Sequence, residues 1–352
     1  MSPAVSVVVP VYDVEDYLEE ALRSVLDQSL ADIEVICVDD GSTDGSAAIL
    51  DRLAEADGRL RVIRQENRGL GAARNAGARA ARGDRLYFFD SDDLLAPGAL
   101  TRLVEVAAGT QADIVYFDAA AFTEDPELEP EAARMSGYYR RSGSYPGAAP
   151  GPELFRDMQA EGDWRPSACL QLFDRAWYEL SGLAFPEGVL HEDNLFSVQA
   201  ALAARRAAHV PEPLFQRRMR PGSITTTAKS IAHLRGLLYC ARELTRLAMD
   251  PATSEVDRPG VLAVVGEVHG QALGVYEQLG TPTAELIERS GLGAEEIAVL
   301  PVYDRLVYVR NRERKRRKAA EQQLRQLQSS RGYRLVTFPR RLLRLVRGRS
   351  AS

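Results

Sequence analysis

Tyr87-Phe88-Phe89-Asp90-Ser91-Asp92-Asp93 is the stretch from which the rest of the chain is read. Three aromatics in a row predict a strand buried on both faces, and that strand runs directly into three carboxylates. Adjacent carboxylates repel and are costly to desolvate, so stability alone does not explain such an ending. A divalent cation would explain it, because hard cations such as Mg²⁺ take oxygen ligands from carboxylates and from a substrate's phosphates. A solvated acidic turn capping the next helix also satisfies the pattern, and these residues alone do not choose between the two.

Upstream, Val5-Ser6-Val7-Val8-Val9-Pro10 is a β-branched run closed by proline, a buried strand rather than an alternating one. Asp13 to Gln28 carries Tyr17, Leu18, Ala21, Leu22, Val25 and Leu26 at helical spacing. Ile33 to Val38 is a second strand, closed by Asp39-Asp40-Gly41-Ser42, and Thr43 or Asp44 then caps a helix to about Ala56. Leu60 to Ile63 is a third strand, and Leu70 to Ala81 an alanine-rich helix stopped by Gly83. This alternation predicts βαβ units and a mainly parallel sheet with helices on both faces. Ligands of such sheets bind beyond the carboxyl ends of the strands. The polar residues fall there, at Pro10-Val11-Tyr12-Asp13, Asp39-Asp40 and Asp90 to Asp93. Neither G-x-G-x-x-G nor a Walker-type loop follows the first strand, which disfavours a dinucleotide fold or a P-loop.

The segments VSVVVPVYDVEDYLEEALRSVLDQS (5–29), IEVICVDDGSTDGS (33–46), ENRGLGAARNAGARAARGD (66–84) and YFFDSDD (87–93) resemble the nucleotide-sugar-binding half of the family 2 glycosyltransferases, which have the GT-A fold. The likeness covers about residues 4–110 almost without gaps, and four motifs in order are far more specific than any one. It implies that Pro10, Val11 and Tyr12 lie against a nucleoside, and that Asp39 and Asp40 hold base and ribose. Asp90-Ser91-Asp92 matches the family's aspartate-X-aspartate motif, with Asp92 the metal ligand through the diphosphate and Asp90 the partner of the ribose or sugar. Arg74, in Gly69 and Ala73-Arg74-Asn75, reaches toward the nucleotide or donor. Asp13 stands where the family has asparagine and reads as a helix cap. Tyr12 as a core residue and Asn75 as a turn-closing residue stay open.

Ala112 to Phe117 is a fifth strand, and Thr123 to Pro152 reads as a long surface insertion with a hairpin around Gly137-Tyr138-Tyr139, an acceptor contact or an idle excursion. Leu170 to Phe173 is a strand and Asp174 caps a helix to Leu180. Val189-Leu190-His191-Glu192-Asp193-Asn194-Leu195-Phe196 resembles the second family signature, in which an acidic pair at a helix start supplies the catalytic base. Asp193 takes that role, with Glu192 in reserve, and the helix N-terminus favours the ionised form by about 1 kcal/mol or less. An ordinary acidic helix start is the alternative. His191 reads as a supporting residue, with no His or Cys near enough in sequence for a zinc set. Pro213 to Thr225 continues the resemblance, although Phe215 or Gln216 occupies the usual tyrosine position. An arginine here suits a leaving diphosphate, and Arg220 is favoured over Arg218.

Composition agrees with a globular protein, at 45% apolar and 27% charged residues. Cys37, Cys169 and Cys240 are too far apart for a metal pattern and suit a reducing compartment. The start leads into a strand without a basic n-region, so no signal peptide is expected. Residues 227–300 read as three or four helices without chemistry. Residues 310–352 hold 15 Lys and Arg against two Glu, so this tail carries +13 and the remainder −19 of the net −6. Phe338, Leu342, Leu345 and Val346 share one face of a helical wheel, with Arg340, Arg341, Arg344 and Arg347 opposite. Contact with an anionic membrane surface through 310–349, self-association, a solvated face and RNA contact stay open. No aromatic platform supports specific nucleic-acid binding.

The expected protein is α/β, with a GT-A catalytic domain over 1–225 (insertion about 118–152), a helical appendage over 226–300 and a basic helical tail over 301–352. The resemblance implies an inverting, Mg²⁺- or Mn²⁺-dependent glycosyltransferase, cytoplasmic or peripheral on the inner membrane face. Its donor is a nucleoside-diphosphate sugar, with uridine the commonest base, and its acceptor a glycan, polymer or lipid-linked saccharide of the cell surface. An inactive nucleotide-sugar-binding subunit and a sugar nucleotidyltransferase are the alternatives. Intact carboxylates speak against the first, and Pro10-Val11-Tyr12 in place of a glycine- and lysine-rich loop against the second.

Overall fold

Every residue of the first strand, β1 (Val5–Val11), is buried, as a β-branched run covered on both faces should be. In the computed structural model, which describes residues 2–223, 227–289 and 291–329, β1 lies among four parallel strands. It pairs with β2 (Ile33–Asp39), β2 with β3 (Leu60–Arg64), and β1 on its other side with β4 (Arg85–Phe88). The connections are α1 (Glu15–Leu26), α2 (Ser46–Ala56) and α3 (Leu70–Ala80). Val11 stands level with Asp39 and Val8 with Phe88, so Tyr12, Asp40 and Asp90 emerge at one edge of the sheet.

This is the parallel half that the βαβ pattern predicts. The rest is built differently, from β5 (Leu94–Leu95), β6 (Ile114–Phe122), β7 (Ala148–Ala149), β8 (Gln171–Asp174) and β9 (Ala207–Arg218). β8 lies between β4 and β6 and is antiparallel to both. β9 runs parallel to β6, while β5 and β7 pair antiparallel with β9. The path through the mixed sheet is β3-β2-β1-β4-β8-β6-β9-β5.

The second half carries α4 (Ala99–Thr110), α5 (Glu129–Tyr139), α6 (Gly151–Ala160), α7 (Arg175–Ser181) and α8 (Asp193–Ala203), followed by α9 (Ile231–Met249) and α10 (Arg258–Leu279). α5 occupies the segment expected to be an irregular insertion with a hairpin. Its Ala132 and Tyr139 are buried. The Ser136 hydroxyl donates to the Ala121 carbonyl (2.9 Å) and accepts from the Ala121 N–H (2.8 Å), which fastens the helix along β6. A glycine inside a helix costs about 1 kcal/mol, and this packing overrides Gly137, which had read as a turn.

The expected divisions after 225 and 300 follow composition. By contact the chain separates into Met1–Leu279, which includes α9 and α10, and Gly280–Ser352. The second unit contains α11 (Thr283–Arg289), α12 (Ala294–Ile297) and α13 (Leu300–Ser329). The amphipathic stretch Phe338–Arg349 lies outside the described residues. Among the described residues, no helix is long and apolar enough to cross a membrane.

Small residues let α3 lie close to the sheet. A Cβ on Gly77 would stand 2.3 Å from Cγ1 of Val8, in the fully buried β1. Overpacking costs about 1–3 kcal/mol, against the roughly 1 kcal/mol that alanine gains over glycine in a helix. Gly77→Ala should therefore lose on the order of 1 kcal/mol in denaturant unfolding. A variant as stable as the parent would contradict this packing.

Candidate active site

Arg74 is 1% exposed, and its guanidinium is the point at which three distant parts of the chain meet. Nη2 donates to Oδ1 of Asp90 at 2.8 Å, and Nη1 to Oε1 of Glu192 at 2.8 Å and Oδ1 of Asp193 at 2.9 Å. Its carbon lies 5.1 Å from the Phe185 ring centroid. Asp90 follows β4, and Glu192 and Asp193 open α8. The neighbouring Asn75 grips the loop before α8, accepting from the Phe185 N–H (2.9 Å) and donating to its carbonyl (2.9 Å). Asn75 thus binds two segments together rather than closing a turn. Arg74, expected to reach for the nucleotide, lies instead beneath the carboxylates.

Above this cluster opens a cleft of about 490 Å³, lined along one side by Pro10, Val11, Tyr12 and Asp40 and elsewhere by Asp90, Ser91, Asp92 and Arg220. Tyr12 is 47% exposed, so it is a wall residue and not core. Asp40 is held by N–H groups of Arg68 (2.9 Å) and Gly69 (2.8 Å) and by the Gln65 amide (2.7 Å). Asp39 stands apart from the cleft lining, accepting from the Ser42 N–H at 2.9 Å. Asp13, at φ 46°, accepts from the Thr43 N–H (2.7 Å) and does not cap α1, whose first N–H groups go to Ser46 and Asp44. Glu192 and Asp193 do not line the cleft; they are tied through Arg74 to Asp90, which does, and Oδ2 of Asp193 takes the Ala168 N–H at 3.4 Å.

Arg217 and Arg218 turn opposite ways, as neighbours on a strand do, and Arg220 follows the end of β9. Arg218 turns to Glu20, Glu124 and the Asp92 carbonyl and is 3% exposed. Arg220 donates through Nε to Oδ2 of Asp92 at 2.8 Å. Arg217, which had not been singled out, lines the cleft 3.6 Å from Asp90 and 3.9 Å from Asp93. Its signal was available, since a residue alternating with an inward Arg218 faces the opposite side. Asp93, also missed, is 1% exposed, and nothing local in Asp-Ser-Asp-Asp separates it from its neighbours.

These groups do not share one charge state. Burial pushes Asp90 up, but Arg74 and Arg217 outweigh it and hold the carboxyl below its usual range. Burial raises Asp193, with Arg74 opposing. Glu192 is pushed up to about 8 by burial and then by the charge of Asp193. Asp93 goes well up for the same first reason, with Asp92 and Asp90 adding repulsion. The expected helix-dipole benefit, about 1 kcal/mol or less, is therefore smaller than the desolvation at this helix start.

Among the described residues, no group of three or more His, Cys, Asp or Glu forms a closed metal site. The donor set suits a different arrangement: Asp92 at the cleft wall, with Asp90 two residues away, fits a hard cation held by one or two carboxylates and completed by phosphate oxygens.

The shift at Glu192 has a definite sign for stability. Its ordinary value is 4.5 and its native value about 8, so the native state binds more protons between them and loses stability as pH rises through that window. Glu192→Gln should flatten the fall of Tm between about pH 5 and 8. An unchanged slope would show that Glu192 is not the proton carrier.

Residues 6–163 match the family model described as "Glycosyl transferase family 2". EpsH of Bacillus subtilis, named a glycosyltransferase, is 37% identical over 226 residues, 63% of each chain, so the match spans just under two thirds of that relative. The succinoglycan biosynthesis protein ExoO of Rhizobium meliloti is 32% identical over 258 residues, 70% of each chain. In structure, S. aureus TarS 1–349 in complex with UDP-GlcNAc superposes with a TM-score of 0.60 at 22% identity, over 76% of this chain and 72% of that one, which places the mixed sheet in the GT-A fold. From the matched family model, the extended identity to ExoO and this fold together, the chain belongs to the family 2 glycosyltransferases.

Proposed function

We propose that the protein moves a sugar, with inversion, from a nucleoside-diphosphate donor to a hydroxyl of a glycan, polymer or lipid-linked saccharide in cell-surface glycan synthesis. The observation that carries this reading is the Arg74 cluster, which ties the Glu192-Asp193 pair to Asp90, a residue that lines the cleft. The succinoglycan relative supports a polysaccharide product, and UDP-GlcNAc on TarS supports a uridine donor.

In this reading the nucleoside rests against Pro10, Val11 and Tyr12, with Asp40 shaping its pocket while Asp39 holds the Ser42 turn behind it, Asp90 and Ser91 beside the ribose or sugar and Arg220 toward the diphosphate. Asp193 accepts the acceptor hydroxyl's proton as the oxygen attacks the anomeric carbon and the bond to the diphosphate breaks. Its raised proton affinity makes it a stronger base than an exposed carboxylate. Glu192, carrying a proton at neutral pH, hydrogen-bonds Arg74 without adding a second full negative charge. Arg217 and Arg220 place two guanidinium groups at the cleft wall, suited to phosphate oxygens that gain charge on departure. Mg²⁺ or Mn²⁺, held by Asp92 with Asp90 nearby, would supply charge neutralisation of that diphosphate when bound.

Asp193→Asn should reduce transfer by about 10²- to 10⁴-fold while leaving UDP binding near the parent value in calorimetry. Asp92→Ala should remove the metal-dependent part of UDP affinity. Unchanged turnover in Asp193→Asn, or unchanged metal dependence in Asp92→Ala, would refute the role in question.

The basic segment 310–349 is read as contact with an anionic membrane surface on the cytoplasmic side, near a lipid-linked or growing acceptor. The full chain should co-sediment with phosphatidylglycerol vesicles and lose this on truncation before Arg310. Equal partitioning of the two proteins would end the reading.

A further inference from the structure

We propose that a cavity formed by α5, α6, the segment after α6 and α10 is a saccharide subsite that holds the acceptor glycan at a distance from the reacting hydroxyl. The proposal rests on the glycosyltransferase reading above. The cavity encloses about 480 Å³, shares no lining residue with the donor cleft, and is bounded by Tyr138, Gln159, Trp164, Arg165, Glu267 and Gln271. Sugar rings present C–H faces together with hydroxyls that both donate and accept. Two aromatic rings, two amides, a guanidinium and a carboxylate match that combination. A nucleotide suits it less, because Glu267 would oppose a phosphate and Arg165 is already engaged.

The wall is both rigid and incompletely satisfied. Arg165 donates to the carbonyls of Tyr138, Gly162 and Trp164, and its guanidinium lies 4.4 Å from the Tyr138 ring centroid. Trp164 is fixed edge-on against Phe155 (4.7 Å between centroids) and Tyr116 (6.0 Å). Yet Nε1 of Trp164, in a residue 4% exposed, has no acceptor in the protein, and neither has Nε2 of Gln159. Buried donors without acceptors are rare in native structures, and both of these belong to residues that line this cavity.

The position fits an acceptor. Trp164 lies four residues before Ala168, whose N–H donates to Oδ2 of Asp193. Four residues span at most about 14 Å. One short segment therefore forms the cavity wall and touches the proposed base, so a saccharide held here would lie on the base's side of the molecule.

The chain contains two tryptophans, Trp164 and Trp177, and Trp177 is stacked on Phe173. In a full-length Trp177→Phe protein, Trp164 becomes the sole indole reporter. Titration with chitohexaose, cellohexaose, maltohexaose and a hyaluronan hexasaccharide should give a saturable change in its emission with at least one, with a Kd of about 1 mM or tighter. A Cβ added at Gly270, on the same wall, meets no atom within 4 Å, so Gly270→Leu has room to take up space there. It should weaken that saccharide roughly tenfold, about 1.4 kcal/mol, as should Gln271→Ala, while UDP affinity measured separately stays unchanged. No response to any of the four, or a response indifferent to both substitutions, overturns the subsite and leaves water as the partner of the two N–H groups. Loss of UDP binding with saccharide binding intact would instead count against the glycosyltransferase reading alone.

Discussion

A buried guanidinium facing three carboxylates is the constraint on which this catalytic unit depends. Taking one such ion out of water costs several kcal/mol even after relaxation, and the cost is recovered only with close, well-directed partners. Arg74 meets that condition through Asp90, Glu192 and Asp193, all within 2.9 Å. One positive charge does not balance three negative ones, so the excess is relieved by protonation. Asp90 keeps its charge because two arginines face it, and Glu192 takes the proton because burial and Asp193 both oppose its ionisation. The same contacts that seat the helix start thereby set Glu192, whose proton affinity burial raises, beside Asp193.

The fold brings these groups together by joining two kinds of sheet. Parallel strands end at one edge and release the donor-side residues there, while β8 and β9 come from the second half. The turn that leads into β8 places Cys169 beside the cluster, its Sγ 4.0 Å from Nη2 of Arg74 and its carbonyl accepting from the Tyr87 hydroxyl at 3.0 Å. The loop before α8 is pressed from two sides. A Cβ at Gly71 would lie 2.5 Å from the Pro186 carbonyl oxygen, and one at Gly236 would lie 2.2 Å from that of Leu190. His191 takes φ 64°, a left-handed backbone uncommon for a residue with a side chain. The carboxylates of α8 are therefore located by α3 and α9 as much as by their own helix.

Much of this was legible beforehand because it is written in local pattern. The apolar runs leading to Pro10, Asp39 and Asp90 marked the parallel strands and the edge where polar residues collect, although Pro10 lies within β1, level with Val38, and does not end it. The Glu192-Asp193 pair ahead of an apolar run marked a helix start, whereas Arg218 and Arg220, two residues apart, both lie over the Tyr17 ring, so alternation does not choose between them. Gly137 misled for the opposite reason, since its local preference was overruled by Ser136, Ala132 and Tyr139 packing on β6.

By itself, then, the amino-acid sequence determined the secondary-structure order of the first half, the motifs of the family and part of the cleft lining (Pro10, Val11, Tyr12, Asp40, Asp90, Ser91, Asp92 and Arg220), all of which depend on neighbours a few positions apart. Tertiary structure decided that Arg74 is buried against Asp90, Glu192 and Asp193, that Arg217 joins Arg220 at the wall, that β8 enters between β4 and β6, and that burial raises the proton affinity of Glu192. Arg74 and Asp193 are 119 residues apart, and neither their proximity nor their removal from water leaves a trace in spacing or composition. Desolvation belongs to the folded interior, and there it outweighs the fraction of a kcal/mol that a helix end supplies.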